Sequence, residues 1–325
     1  MPAPVASPVQ AEPRDFPRNR AGPGLECRSA FTEANELELF LQSIFNSLIQ
    51  GGFFALWAVG LVLVFGVMGV VNFAHGELVM VGAYAIWVLH SQFGTPYLVS
   101  LGLAVLLVMA IGLLMEQVLF RPKREDPLGG LINSIGVLFI LQVGAHLVGG
   151  TGPAKQVAPP YAGTWVIEGL LRIPYQRLFS FGVAAAALVV LFYFLTRTKL
   201  GWSLRAVALD REASALQGIN INRTSMIAMG VAAAMAGLAG ALMAPMTNIY
   251  PHMGHNVIIT SFIVTIVGGI GSLTGAVLAA FLYAFLHTFV TAYVSGTVAT
   301  MCGLLIMVLV LIVKPTGIMG QRVSE

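Results

Sequence analysis

The sequence predicts an all-α fold, a polytopic transmembrane helical bundle with about eight or nine hydrophobic segments. Composition is the first reason: 57% of the 325 residues are hydrophobic and only 10% are charged, whereas a soluble domain carries about 25% charge. Arrangement is the second, because the apolar residues fall in long runs and a helix of about 20 residues crosses a hydrocarbon core. Helices also satisfy their own backbone hydrogen bonds, which an open strand edge in lipid cannot do. The net charge of +3 does not point to nucleic acid. The basic residues sit in short loops beside aliphatic runs, where they set orientation.

The chain opens with an extension over residues 1–40. Residues 1–32 are rich in Pro, Arg and Glu with little apolar periodicity, so they are expected to be disordered. No apolar core follows the start, and a signal peptide is therefore not expected. Thr32 followed by Glu33, Glu36 and Glu38 predicts a short capped helix before the first apolar run. The membrane domain follows over 41–320, with spans predicted at 44–68, 76–91, 97–119, 131–149, 178–196, 224–245, 257–268, 275–294 and 298–313. The piece at 257–268 is too short to cross alone, which leaves an extended span or a re-entrant half-helix.

Charge bias orients these spans. The 120–130 loop carries Arg121, Lys123 and Arg124, and the 197–223 loop carries Arg197, Lys199, Arg205, Arg211 and Arg223, so both are expected in the cytoplasm. The 246–256 loop has neither Lys nor Arg and is expected outside, while Lys314 and Arg322 keep the C-terminus inside. Two features run against the pattern: the external loop 150–177 holds Lys155, Arg172 and Arg177, and the N-terminal tail holds four arginines.

Two segments carry chemistry. In 68–84 (MGVVNFAHGELVMVGAY), Asn72, His75 and Glu77 interrupt an apolar region, and ionisable groups at membrane depth usually face a bundle interior or a watery cavity. Gly66, Gly69 and Gly76 make a helix break plausible there, with backbone groups open to a polar solute. The other reading is a short cytoplasmic turn with Asn72 as cap and Glu77 in the next first turn. In 198–223, Leu204, Ala208 and Ala215 lie on one side at helical spacing, while Arg205, Asp210, Arg211 and Glu212 offer charge to a partner or to water. Gly218 is a natural C-terminal stop. Asn133 and Ser134 open a span after the basic loop, where they line a path or cap a helix. GGIGSLTG at 268–275 lacks the Lys-Ser/Thr of a phosphate loop, so a turn or tight helix packing is expected. Cys27 and Cys302 have no metal-ligand or redox spacing.

The motif NFAHGE at 72–77, followed by G-x-Y at 82–84, resembles the opening signature of the LivH-type branched-chain amino acid ABC transporter permease family. The cytoplasmic stretch is similar to that family's coupling element at Gly201, Arg205, Ala206, Ala208, Asp210, Ser214 to Ala215, Gly218 and Ile219. VGGIGSLTGA at 267–276, KPTGIMG at 314–320, and Glu116 with Arg121 and Pro122 resemble further family motifs, in matching order over about 42–320. The resemblance implies a transport subunit rather than an enzyme, in a bacterial inner membrane. It also implies no cofactor on this chain, with ATP used by separate subunits.

The implied partners are a second, LivM-like permease, two cytoplasmic ATP-binding subunits, a periplasmic solute-binding protein and membrane lipid. The implied solute is a branched-chain or related amino acid, with urea, short amides and aromatic acids as the solutes of similar importers. On the same resemblance, Asn72, His75, Gly76, Glu77, Asn133 and Ser134 belong to a translocation pathway or gate. Gly201, Arg205, Ala206, Asp210, Ala215, Gly218 and Ile219 belong to the ATPase coupling element. The alternative is a proton-coupled secondary transporter with His75 and Glu77 as relay.

Overall fold

The structure is a computed structural model that describes residues 24–124, 126–150, 152–167 and 171–320. The expectations for residues 1–23 and for Arg322 lie outside the described residues.

Helix α1 (Gly24–Met68) leads to a non-helical stretch and then α2 (His75–Ile86), which continues as a π-turn over Trp87–Gln92. Helix α3 (Tyr97–Met115) passes through a second π-turn, Glu116–Phe120, and a 3-10 turn, Arg121–Lys123, to α4 (Pro127–Gly149). A hairpin of β1 (Thr164–Ile167) and β2 (Leu171–Pro174) precedes α5 (Tyr175–Arg197). The short helices α6 (Lys199–Leu209) and α7 (Arg211–Leu216) lead into α8 (Ile221–Met243), followed by α9 (Met253–Gly268), α10 (Leu273–Tyr293) and α11 (Gly296–Val313).

Among the described residues, seven helices are long and apolar enough to cross a membrane, and α9 is a shorter apolar one. The starts follow local chemistry: Asp126 accepts from the Gly129 amide at 3.0 Å with Pro127 in the first turn of α4, and Ser272 accepts from Gly275 at 3.1 Å to open α10. Each cap meets a donor that a helix N-terminus leaves unpaired.

Helix α8 packs against α1, α2 and α3 in the middle of the bundle. Its glycines and alanines let other backbones close in, as membrane helices do when packing rather than water drives association. A Cβ on Gly82 of α2 would lie 2.9 Å from the Gly237 Cα, and one on Gly240 would strike the Val79 carbonyl oxygen. Gly112 of α3 fits against Ala233 in the same way. By contrast Leu147 of α4, Val189 of α5 and Ile312 of α11 are exposed on the outer faces, as lipid-facing residues of a membrane bundle should be.

Three local features differ from the sequence reading. Helix α1 runs back to Gly24, so Thr32 lies inside a helix rather than at its start. The 150–177 loop contains the hairpin, antiparallel with Trp165 opposite Ile173. Its position is fixed by Gln42 of α1, which accepts from the Arg172 amide at 3.3 Å and donates to the Arg172 carbonyl at 3.2 Å. Two of the three basic residues of this loop are engaged by the protein: Arg177 donates to Asn46 at 2.7 Å, and Lys155 lies 5.4 Å from the centre of the Trp87 ring. Charge bias counts residues and cannot see such partners. Finally, α9 begins four residues earlier than expected, at Met253.

The glycine-rich turn and the tail motif meet. Ile318 and Met319 donate their amides to the Val267 and Gly268 carbonyls at 2.9 and 3.1 Å, and Gly269 and Gly317 take positive φ where their backbones touch. The turn reading of 268–275 therefore has a concrete cause: it is the seat of the chain's C-terminal segment.

Candidate functional site

Gly69, with φ of +67°, ends α1 and turns the chain back into the bundle. Residues 69–74 are not regular helix, and their amides find other partners. Asn72 accepts from the Ala74 amide at 3.0 Å through its side chain, and its carbonyl accepts from the His75 amide at 3.2 Å. The Phe73 amide donates to Ser134 Oγ of α4 at 3.1 Å. Irregular backbone in a membrane protein is tolerated where protein satisfies it in this way.

This break lies deep. His75 is fully buried and sits against Gly60 of α1, where a Cβ would fall 2.8 Å from the imidazole Cε1 and 3.2 Å from the carbonyl oxygen of Ala232, the central residue of α8. Its Nε2 lies 3.0 Å from the Trp57 carbonyl oxygen. A carbonyl only accepts, so Nε2 carries the proton and donates. The segment therefore combines both readings: Asn72 does cap a turn, and that turn is at the level of the middle of α8.

Glu77 is 1% exposed. Its Oε1 accepts from Gln142 Nε2 of α4 at 2.9 Å, while Oε2 is buried with no partner. Oε2 faces the first turn of α9, where a Cβ on Gly254 would lie 2.6 Å away. Gly76 touches the Gly254 carbonyl directly, so two glycines bring the starts of α2 and α9 together around one carboxylate. Both helix N-termini favour negative charge.

Of the residues expected here, Asn72, His75, Gly76, Glu77 and Ser134 share one buried neighbourhood. Asn133 does not join it, because its amide donates to the Leu119 carbonyl at 3.1 Å in the π-turn below α3. Gln142, Trp57 and Gly254 were missed. Gln142 had a signal, as a lone amide in the apolar run GVLFILQVGA; the other two had none.

The 198–223 segment is two helices rather than one stripe. Asp210 breaks it with extended backbone and caps α7 by accepting from the Ala213 amide at 2.9 Å. Thr198 caps α6 at the Gly201 amide, 3.0 Å, and Asn220 caps α8 at the Arg223 amide, 3.1 Å. Gly201 is required by space, since a Cβ would lie 2.5 Å from the Leu195 Cα, and Gly218 by its φ of +82°.

The inward face is Leu204 and Val207, not Ala208 and Ala215, which are exposed. Arg205 lies outside with its guanidinium 5.8 Å from the Trp202 ring centre, and Ala206 and Ile219 are half-buried. The outer side presents large apolar groups: Trp202 is 64% exposed, Leu209 73% and Leu216 88%. These three were not singled out by motif, and exposed apolar groups gathered in one segment mark an interaction surface.

Comparison with known proteins fits this architecture. Residues 43–314 match the family described as branched-chain amino acid transport system / permease component. The chain belongs to that family. This permease is 31% identical over 302 residues to the high-affinity branched-chain amino acid transport system permease protein LivH of Salmonella typhimurium, covering 88% of this chain and 97% of that one. It is 30% identical over 305 residues to the corresponding protein BraD of Pseudomonas aeruginosa, covering 89% and 99%. PsaBC from Streptococcus pneumoniae in complex with Fab shares the fold, with a TM-score of 0.51 over 89% of this chain and 97% of that one at 12% identity. As a permease component it is a multi-pass transport subunit without a cofactor of its own, and partner subunits hydrolyse ATP.

Proposed function

We propose that this permease pairs with a second, LivM-like permease to form the membrane path of an importer for branched-chain or related amino acids. A periplasmic binding protein delivers the solute outside, and two cytoplasmic ATPases dock on α6 and α7. The observation that carries the reading is the buried break at 72–77, where the Glu77 carboxylate is held between two helix N-termini with one oxygen free. Ionisable groups held so deep mark pathways and gates. Asn72, His75, Gly76, Glu77 and Ser134 form the gate, while Asn133 of α4 lies outside it and holds the π-turn through the Leu119 carbonyl.

The coupling element is built from Gly201, Asp210 and Gly218, which shape α6 and α7, and from Arg205, Ala206, Ala215 and Ile219, which fill or flank the docking face. Its basic character, with Arg197, Lys199, Arg211 and Arg223 close by, supports a cytoplasmic position. The chain's C-terminus then lies on the same side. His75 and Glu77 bond to different helices, Trp57 of α1 and Gln142 of α4, which disfavours a proton relay between them.

Reconstitution in proteoliposomes with and without the second permease, the ATPases and the binding protein tests the proposal. Radiolabelled leucine is expected to enter only with the complete set and ATP. Uptake by the lone chain driven by a proton gradient would sink it.

A further inference from the structure

Below α3 the π-turn and the 3-10 turn bend the chain toward α4. Inside that bend Glu116 is fully buried, and its Oε1 accepts from Arg124 Nη2 at 2.5 Å. The same guanidinium donates through Nη1 to Asn222 Oδ1, in the first turn of α8. One arginine thus ties the end of α3 to the helix that begins where α7 ends. Gln117 reaches Met226 of α8 at 3.3 Å, and Asn133 of α4 holds the Leu119 carbonyl, so the bend is gripped from both sides.

The pairing is incomplete. Glu116 Oε2 and Arg124 Nε are both buried without a partner, although a guanidinium and a carboxylate can join through two parallel bonds. A buried pair with open atoms does not recover its desolvation cost, so static stability is a poor reason for it. Burial pushes Arg124 below its usual pKa and Glu116 opposes that, while Arg211 of α7 and Arg121 repel it. The coupling segment is therefore electrostatically in touch with this joint. At the other end of the lever, α8 presents Met229 to Asn72 and packs Gly237 and Gly240 on α2. Nothing interrupts the helix between Asn222 and Gly240, a span of about 27 Å at 1.5 Å per residue.

We propose that Glu116, Arg124 and Asn222 form a clasp that carries displacement of the coupling segment into α8 and so to the 72–77 break. Arg124 has two arrangements, one shared with Asn222 and one bidentate on Glu116, and docking energy moves α8 between them. These are positioning residues that touch no solute. The inference rests on the docking role of α6 and α7.

The test uses the complete reconstituted complex, with leucine uptake and ATP hydrolysis measured on the same vesicles. Asn222 is exposed, so its variants leave the core intact. Asn222→Ala is expected to assemble and hydrolyse ATP at the parent rate while leucine moved per ATP falls about tenfold, the factor for one lost charge-assisted bond. Asn222→Asp keeps an acceptor for Arg124 and is expected to retain uptake. Parent leucine per ATP in Asn222→Ala, or assembly and hydrolysis lost together with uptake in both variants, overturns the clasp. Leu209→Glu run in parallel separates the premise: ATPases that stay bound to it refute docking on α6 and α7, whatever Asn222→Ala does.

Discussion

Gly240→Ala is the sharpest test of the packing that surrounds the break. A Cβ there falls on the Val79 carbonyl, with the Val79 carbonyl carbon at 2.8 Å and the Ala83 amide nitrogen at 3.1 Å. All three are backbone atoms, so no side chain can rotate away and α2 must retreat from α8 by about 1 Å to restore ordinary contact. Overpacking of a tight core costs about 1–3 kcal/mol, and the absence of any flexible neighbour puts this site near the upper figure. Alanine returns about 1 kcal/mol as a better helix former. The net loss is about 2 kcal/mol, or roughly 3 °C in melting temperature for a chain of this size. The control is Gly102→Ala on the exposed side of α3, where a Cβ meets nothing within 4 Å. It should be neutral or slightly stabilising. Thermal unfolding of both variants in the same detergent measures the difference, and equal melting temperatures would refute the close approach of α2 and α8.

Glu77→Gln removes the charge but leaves an oxygen for Gln142, so insertion and assembly should persist while leucine uptake drops at least tenfold; unchanged uptake would reduce Glu77 to a packing group. Ser134→Ala strips the Phe73 amide of its acceptor and should cost about 1–3 kcal/mol of stability by chemical denaturation, more than Asn133→Ala, whose site is half-buried. Leu209→Glu should abolish co-purification with the ATPases while leaving membrane insertion intact, and full recovery of the subunits would count against α6 as the docking surface.

How much of this was legible depends on the length scale of the signal. Spans are written in runs of apolar residues, and nearly every predicted segment lies within a helix of the structure; the start that moved to Met253 has no side-chain cap to announce it, whereas the start of α4 at Pro127, four residues before the expected 131, is marked by Asp126 and Pro127. Local signals were partly readable: Gly218, read as a helix stop, takes the positive φ that follows α7, whereas the cap made by Asp210 was not read. The hairpin was not, because the contact that seats it comes from Gln42, some 130 residues away in the chain. The inward face of 198–223 was only half visible: Leu204 is buried but Ala208 is exposed, and helical spacing was counted through Asp210, where the helix restarts and leaves Ala215 outward.

By itself the sequence determined a multi-span helical membrane protein, the side of the membrane expected for its basic loops, and the polar residues that do not belong in lipid. These follow from hydropathy and charge, which act on each residue alone or on near neighbours. Only the tertiary structure decided that Asn72 and His75 lie level with the middle of α8, that Gln142 and Gly254 close around the Glu77 carboxylate, and that Asn133 serves a different bend. Those facts depend on which backbones can approach each other, and that is set pairwise by glycines far apart in the chain, such as Gly76 with Gly254 and Gly82 with Gly237. A single residue's character does not encode its partner; the packed bundle does.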